Sequence, residues 1–276
     1  MPQVALLQMT SGIDPVANAR TITDAMAAAK AGGAAMLFTP EMCGLIDRDR
    51  ARAVPHIVTE AANPVLAAVR DAAVRDGIWV ALGSLAIRRE DGEARYANRS
   101  FVIDDTGEIR ARYDKIHMFD VDLATGERWR ESSAYAPGDA VVTVETPVGR
   151  LGLAICYDLR FPALFEALGR TNCDLIAIPA AFTVPTGAAH WDILQRARAI
   201  EASAYVVSAA QVGHHQDGRA TYGHSLVVDP WGDVILDMEG QVAGLGFAEI
   251  SPARIAEVRR QLPSLANRRE MPKSAA

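Results

Sequence analysis

The chain has 276 residues, half of them hydrophobic and 22% charged, the balance of a folded globular protein and not of a disordered one. Its 28 Lys and Arg against 34 Asp and Glu leave a formal net charge of −6, which argues against a nucleic-acid binder or a protein held on anionic lipid, since both need a basic surface. No stretch reaches the roughly 18 consecutive apolar residues of a membrane helix, and the three cysteines, Cys43, Cys156 and Cys173, are an odd set without Cys-x-x-Cys, which points to a reducing, cytoplasmic protein with no disulfide framework or structural zinc.

Residues 4–8 read as a buried strand. Asp14 and Pro15 then supply an N-cap and a first-turn proline, and Val16, Ala19, Ile22, Met26 and Ala29 follow at helical spacing until Gly32-Gly33. A second apolar run, 35–38, ends at Thr39-Pro40-Glu41, so the chain opens with a strand, a helix and a strand, as an α/β fold does. Asn63 and Pro64 start a helix over 63–75, and 79–87 is strand-like. Three hairpin signals follow, turning at 104–107, 146–149 and 230–233. Helices are predicted over 162–169 and 188–203, the latter carrying Trp191, Leu194 and Ile200 inward, with Asp192–Arg196 and Arg198–Glu201 spaced to pair. Hairpins interleaved with βα units imply mixed sheets. No linker divides the chain, so residues 1–270 are read as one domain, with 271–276 as a C-terminal tail.

Four residues could carry chemistry. Cys156 ends the apolar run 151–155 just before Tyr157-Asp158-Leu159-Arg160-Phe161-Pro162, where the N–H groups of a helix start would favour a thiolate and bind an oxyanion. Glu41 follows a buried strand, at the edge where α/β folds bind ligands. Lys115 follows the first hairpin, and Glu131 lies sixteen residues further on in a charged loop. Singly, each has an ordinary explanation: a buried small thiol, a surface acid, a solvated lysine. Together, a Glu, a Lys and a Cys stand at three strand ends, 74 and 41 residues apart.

In that order the blocks Thr39-Pro40-Glu41, Asp114-Lys115-Ile116-His117 and 156–162 resemble the three catalytic blocks of the nitrilase superfamily, the carbon–nitrogen hydrolases. Ala189-His190-Trp191, the run 196–201, Tyr222-Gly223-His224-Ser225 and Asp229-Pro230-Trp231-Gly232 resemble its Nit branch of amidases. Ala163 and Asp192 depart from that branch, which often has Glu at both. The resemblance implies a four-layer αββα sandwich with two mixed β-sheets and usually a homodimer. It also implies a Glu41-Lys115-Cys156 triad that cleaves a small carboxylate-bearing amide through a thioester, without metal or cofactor. Glu131 would orient Lys115 or Glu41, the Tyr157 N–H would join Lys115 at the oxyanion, and Arg160 and Phe182 would line the acyl pocket.

The segment 211–225 is closer to the deaminated-glutathione amidases than to the ω-amidases acting on 2-oxoglutaramate, and Arg219 or a histidine there could meet a leaving-group carboxylate. Rival readings are an N-carbamoyl or other small-amide hydrolase, an acyltransferase using the same thioester, a catalytically silent binding protein, and a Cys–His dyad with His224. Arg160 could instead pair with Asp158, and Trp191 and Trp231 read as core or interface aromatics.

Overall fold

The computed structural model describes residues 1–124, 126 and 128–269; the tail expected at 271–276 lies outside them. The first half runs β1 (Gln3–Gln8), α1 (Pro15–Ala31), β2 (Met36–Phe38), the one-turn α2 (Arg50–Ala53), α3 (Pro64–Asp76), β3 (Trp79–Ile87), β4 (Ala97–Ile103) and β5 (Ile109–Asp114). A hairpin, β6 (Asp120–Asp122) and β7 (Arg128–Arg130), leads into β8 (Thr143–Thr146), β9 (Gly149–Leu153), α4 (Pro162–Arg170), β10 (Leu175–Ala177) and α5 (Val184–Ala202). The chain continues with β11 (Tyr205–Ser208), β12 (Val212–His214), β13 (Ala220–Tyr222), β14 (Leu226–Val228), β15 (Val234–Asp237), β16 (Gly244–Glu249) and α6 (Pro252–Gln261).

Local chemistry sets the helix ends. The Asp14 and Asn63 side chains accept from backbone N–H groups of the first turns of α1 and α3, each followed by a proline that needs no such partner. Gly77 ends α3 in the left-handed conformation. Helix α5 starts four residues before its predicted position, because Pro185 is tolerated in a first turn and Gly187 lets Tyr222 pack close. Ile200, expected inward, is 43% exposed on that helix, while Trp191 is buried. Both expected ion pairs on α5 form, Arg196 with Asp192 at 3.9 Å and Arg198 with Glu201 at 3.0 Å.

Two six-stranded sheets form, in the orders β16-β1-β2-β3-β4-β5 and β15-β14-β11-β10-β9-β8. In each, three adjacent strands are parallel, β1, β2 and β3 in one and β9, β10 and β11 in the other, and the flanking pairs are antiparallel. Both sheets are therefore mixed. Alternation along the strands sorts side chains between two cores. Val4, Leu6, Met36 and Phe38 face the second sheet, while Ala5, Leu7 and Leu37 pack with α1 and α3. Helices α4 and α5 cover the second sheet's other face, which completes the four-layer αββα sandwich. No helix among the described residues is long and apolar enough to cross a membrane.

The carboxyl ends of the parallel strands of both sheets point to one place. Single bridges there join Met9 to Gln211 and Ala180 to Ala210. An irregularity in β3 between Leu82 and Leu85 receives the 39–43 loop: the Gly83 N–H donates to Thr39 Oγ1 at 2.9 Å and the Met42 N–H to Ser84 Oγ at 2.9 Å. A Cβ on Gly83 would overlap the carbonyl oxygens of Thr39 and Pro40. Gly83→Ala is therefore expected to destabilise the fold by about 2–3 kcal/mol, the usual cost of overpacking against backbone. Urea unfolding checks it, and an unchanged midpoint would show that the loop gives way freely.

Candidate active site

Glu41, Lys115 and Glu131 leave three separate elements and converge in the interior. Lys115 directly follows β5, and only 2% of it is exposed. Its Nζ lies 2.9 Å from Glu41 Oε1 and 3.1 and 2.8 Å from the two oxygens of Glu131. Burial works against the ammonium, but Glu131 and Glu41 outweigh it and hold the Lys115 pKa well above the usual lysine range. Glu131 is fixed from behind by the Phe119 N–H at 2.7 Å, and Glu41 Oε2 by the Ala181 N–H at 3.0 Å.

Two buried amides, neither singled out from the sequence, complete this arrangement. Asn98 Nδ2 donates to Glu41 Oε1 at 2.9 Å and to Glu131 Oε1 at 3.1 Å, so it spans the same two carboxylates as Lys115. Gln211 Nε2 donates to the Glu41 carbonyl at 3.0 Å and to Ser11 Oγ at 2.6 Å, tying the Glu41 backbone to the end of β1.

Cys156 opens a single 3-10 turn after β9, with φ at +48°, a strained conformation for a non-glycine residue. Its N–H donates to the Pro179 carbonyl at 2.9 Å, which leaves the side chain at the strand end. The Tyr157 N–H is at the start of the same turn, where no intrahelical acceptor exists for it. Asp158, fully buried, locks the turn. It accepts from the Ile155 N–H, the Tyr113 hydroxyl and the His117 N–H, and its Oδ1 lies 2.7 Å from His117 Nδ1.

The surroundings of Cys156 disfavour the expected thiolate. Helix α4 begins only at Pro162, so its N-terminus is not at Cys156. Burial, and then the Glu41 carboxylate, push the Cys156 thiol well above the ordinary cysteine range, with Lys115 pulling the other way. Both causes favour the neutral thiol at rest.

Glu41, Lys115, Glu131, Cys156, Tyr157 and Phe182 all line one cavity of about 740 Å³, a size suited to a small molecule. Arg160 does not line it. Its Nη1 lies 3.2 Å from His190 Nδ1, and its guanidinium packs over the Phe182 and Tyr157 rings, at 5.5 and 5.9 Å. No Arg160–Asp158 pair forms among the described residues, because tighter donors occupy Asp158. Among the described residues no histidine lines the cavity, and His224 Nδ1 lies 3.0 Å from Asp237 instead, so the dyad reading has no geometry to support it. Ala163 and Asp192 are exposed and away from the lining. Arg219, expected near a leaving group, does line it, together with Arg48 and Trp129, neither of which was singled out from the sequence; Trp129 lies in a charged segment that reads as an open loop but forms the β6–β7 hairpin. Among the described residues no group of three His, Cys, Asp or Glu side chains is arranged for a metal ion.

Known proteins match this chain in sequence and fold. The carbon-nitrogen hydrolase family model matches residues 3–260. The chain belongs to the carbon–nitrogen hydrolase family. It is 40% identical over 267 residues to the deaminated glutathione amidase of Yersinia enterocolitica, covering 96% of this chain and 92% of that protein. It is 38% identical over 272 residues to the deaminated glutathione amidase of Homo sapiens, covering 98% and 83%. The crystal structure of the C. elegans NitFhit protein matches with a TM-score of 0.88 at 36% identity, over 97% of this chain and 65% of that one. This carbon–nitrogen hydrolase is thus an enzyme of the amidase type, and its Glu41–Lys115 pair beside Cys156 is consistent with the family's triad.

The charges around Cys156 make a signed expectation. Glu41→Gln removes the group that raises the thiol and keeps Lys115, which lowers it, so the Cys156 thiolate should appear at lower pH than in the wild type. Ultraviolet thiolate absorbance, read as the difference from a matched Cys156→Ala protein, measures it. Burial pushes Cys43 up to about 11 and Cys173 up to about 12, so neither interferes near neutrality. A midpoint unchanged or moved upward would show that Glu41 does not govern the thiol.

Proposed function

We propose that the chain hydrolyses deaminated glutathione to 2-oxoglutarate and cysteinylglycine through a thioester on Cys156. The observation that carries this reading is one cavity holding a neutral buried thiol, a carboxylate and a locked ammonium. Cys156 Sγ attacks the amide carbonyl while Glu41 takes the thiol proton. Lys115 and the Tyr157 N–H stabilise the oxyanion, and Glu131 holds Lys115 in place. Glu41 passes its proton to the leaving amine as the C–N bond breaks. It then removes a proton from water, which attacks the thioester, and the acid departs as the proton returns to sulfur.

The names of the two relatives above support the substrate, as does a cavity wide enough for a dipeptide leaving group. Phe182 would wall the acyl end. Arg160, which packs over Phe182 outside the lining, would act on the acyl carboxylate only through a shift of that ring.

We further propose that residues 1–270 work as one catalytic domain and pair as an isologous homodimer. Ile193, Ile200 and Trp231 stand 66%, 43% and 46% exposed on α5 and the turn before β15, an apolar face that a second copy would cover. The three cysteines are free, which supports a reducing setting such as the cytoplasm.

Cys156→Ala is expected to fold normally by circular dichroism and to lose at least ~10³ in kcat, while Cys173→Ala retains most activity. Turnover surviving in Cys156→Ala would remove the mechanism. kcat/KM should be higher for deaminated glutathione than for 2-oxoglutaramate; the reverse order would favour an ω-amidase. Free acid as product, unchanged by added amine, separates hydrolysis from acyl transfer. Sedimentation at micromolar concentration should give twice the chain mass, and a monomer would refute the dimer.

A further inference from the structure

The charge of the cavity is opposite to that of the chain. Seven cationic side chains line it against three carboxylates, in a protein of net charge −6. Glu41 and Glu131 are already bound to Lys115, and Asp47 is paired with Arg52. Arg95 is paired with Glu93, and Arg128 and Arg130 with Asp122; the remaining cations, Arg48, Arg50 and Arg219 with its single bond to Asp217, lie at the mouth, where residues 45–54, the β6–β7 hairpin and the β12–β13 hairpin meet.

Trp129 is the centre of that mouth. The Arg48 and Arg219 guanidiniums pack on its ring, at 5.6 and 5.3 Å from the centroid. Arg219 is aimed by Asp217, whose Oδ2 accepts from Nε at 2.7 Å. That bond uses the inner nitrogen and leaves the two terminal nitrogens of Arg219 without a hydrogen-bond partner among the described residues. Among the described residues Arg48 has no carboxylate partner and the buried Trp129 Nε1 no acceptor. The groups left without a partner here, the Arg219 terminal nitrogens, the Arg48 guanidinium and Trp129 Nε1, are all donors, and the group that would match them is an anionic acceptor. Tyr135, in the same lining, senses both ends: burial and Glu131 raise its phenol and Arg219 lowers it.

We infer that Arg219 and Arg48, packed on Trp129, form a second carboxylate-binding subsite at the cavity mouth, which reads a leaving amine bearing its own carboxylate, such as an amino acid or a short peptide. The inference rests on the amidase reading above and deepens it. The acyl group would occupy the inner end near Phe182, with the leaving group lying outward along Tyr135. A planar, bidentate fork on a rigid ring is suited to a carboxylate and poorly suited to a neutral amide.

The test uses deaminated glutathione and its C-terminal carboxamide, which differ only in that one charge. Calorimetry with Cys156→Ala measures binding of each without turnover, and kcat/KM is measured for each on the wild type. The carboxylate form should be favoured by about ten- to a hundredfold in both measurements, the range for hydrogen bonds to a charged group. Arg219→Gln should bring both ratios towards one through KM, and Arg48→Gln should reduce them by less, because Arg48 is more exposed. Equal binding of the two forms, no binding of either, or an equal loss for both forms in Arg219→Gln would overturn the subsite; the last outcome would mark general steering of anions. Wild type that binds with the expected ratio but turns over neither form would keep the subsite and remove the proposed hydrolysis.

Discussion

The site depends on an ammonium that has almost no access to water. Lys115 is 2% exposed, and a buried cation without partners would cost several kcal/mol or lose its proton. It keeps its charge because Glu41 and Glu131 both reach it. This requirement acts on the fold. It brings the end of β2, the end of β5 and the turn after β7 to within a few ångströms of one another. It also leaves the cluster with two carboxylates for one cation, so one negative charge remains in excess. Asn98 spreads that excess between the two acids without adding charge. A carboxylate held this way can accept a proton from a neighbouring thiol without leaving its position.

The remaining polar contacts serve this placement. Asp158 holds the Cys156 turn by four contacts, and Gln211 ties the Glu41 backbone to Ser11. Both bridge the two sheets, as do the Met9–Gln211 bridge and the bonds of the Gln8 amide to residues 225–242, whereas the apolar core between the sheets specifies no position along the strands. Packing at this density resists sliding, but only directional bonds fix where a strand end points. The positive φ of Cys156 is tolerated because the Pro179 carbonyl and Asp158 over-determine the turn.

The fold was legible where one local rule governed. Apolar runs marked β1 and β2, Asp14-Pro15 and Asn63-Pro64 marked helix starts, and the three turn signals marked three real hairpins. Glu41, Lys115 and Cys156 stood out in the sequence as three strand-end residues whose blocks resemble those of the nitrilase superfamily, and the structure brings all three to one cavity. Asn98 was not, since an Asn within a strand looks the same whether its side chain meets solvent or two carboxylates; its partners are 57 and 33 residues away. Arg160 misled for a related reason. It lies in the cysteine block, but its side chain packs over Tyr157 and Phe182 outside the cavity. The thiolate expectation failed because a single 3-10 turn intervenes before α4, and the charge nearest in kind to decide the matter, Glu41, lies 115 residues earlier in the chain.

A neutral resting thiol changes what the rest of the cavity must do. A free thiolate would react with many electrophiles at a basic mouth. In the mechanism proposed above, a thiol raised by burial and by Glu41 becomes nucleophilic as its proton moves to that carboxylate, with the substrate carbonyl placed against Lys115. The basic surface is therefore free to be specialised for binding, because it does not generate the nucleophile. The two sets of charge are kept apart accordingly: Lys115 is consumed by two acids inside, while Arg48 and Arg219 stand on Trp129 at the mouth. On the two proposals above, long-range attraction of an anion to the arginines and short-range activation of the thiol would be separate events, joined only by a substrate long enough to reach both.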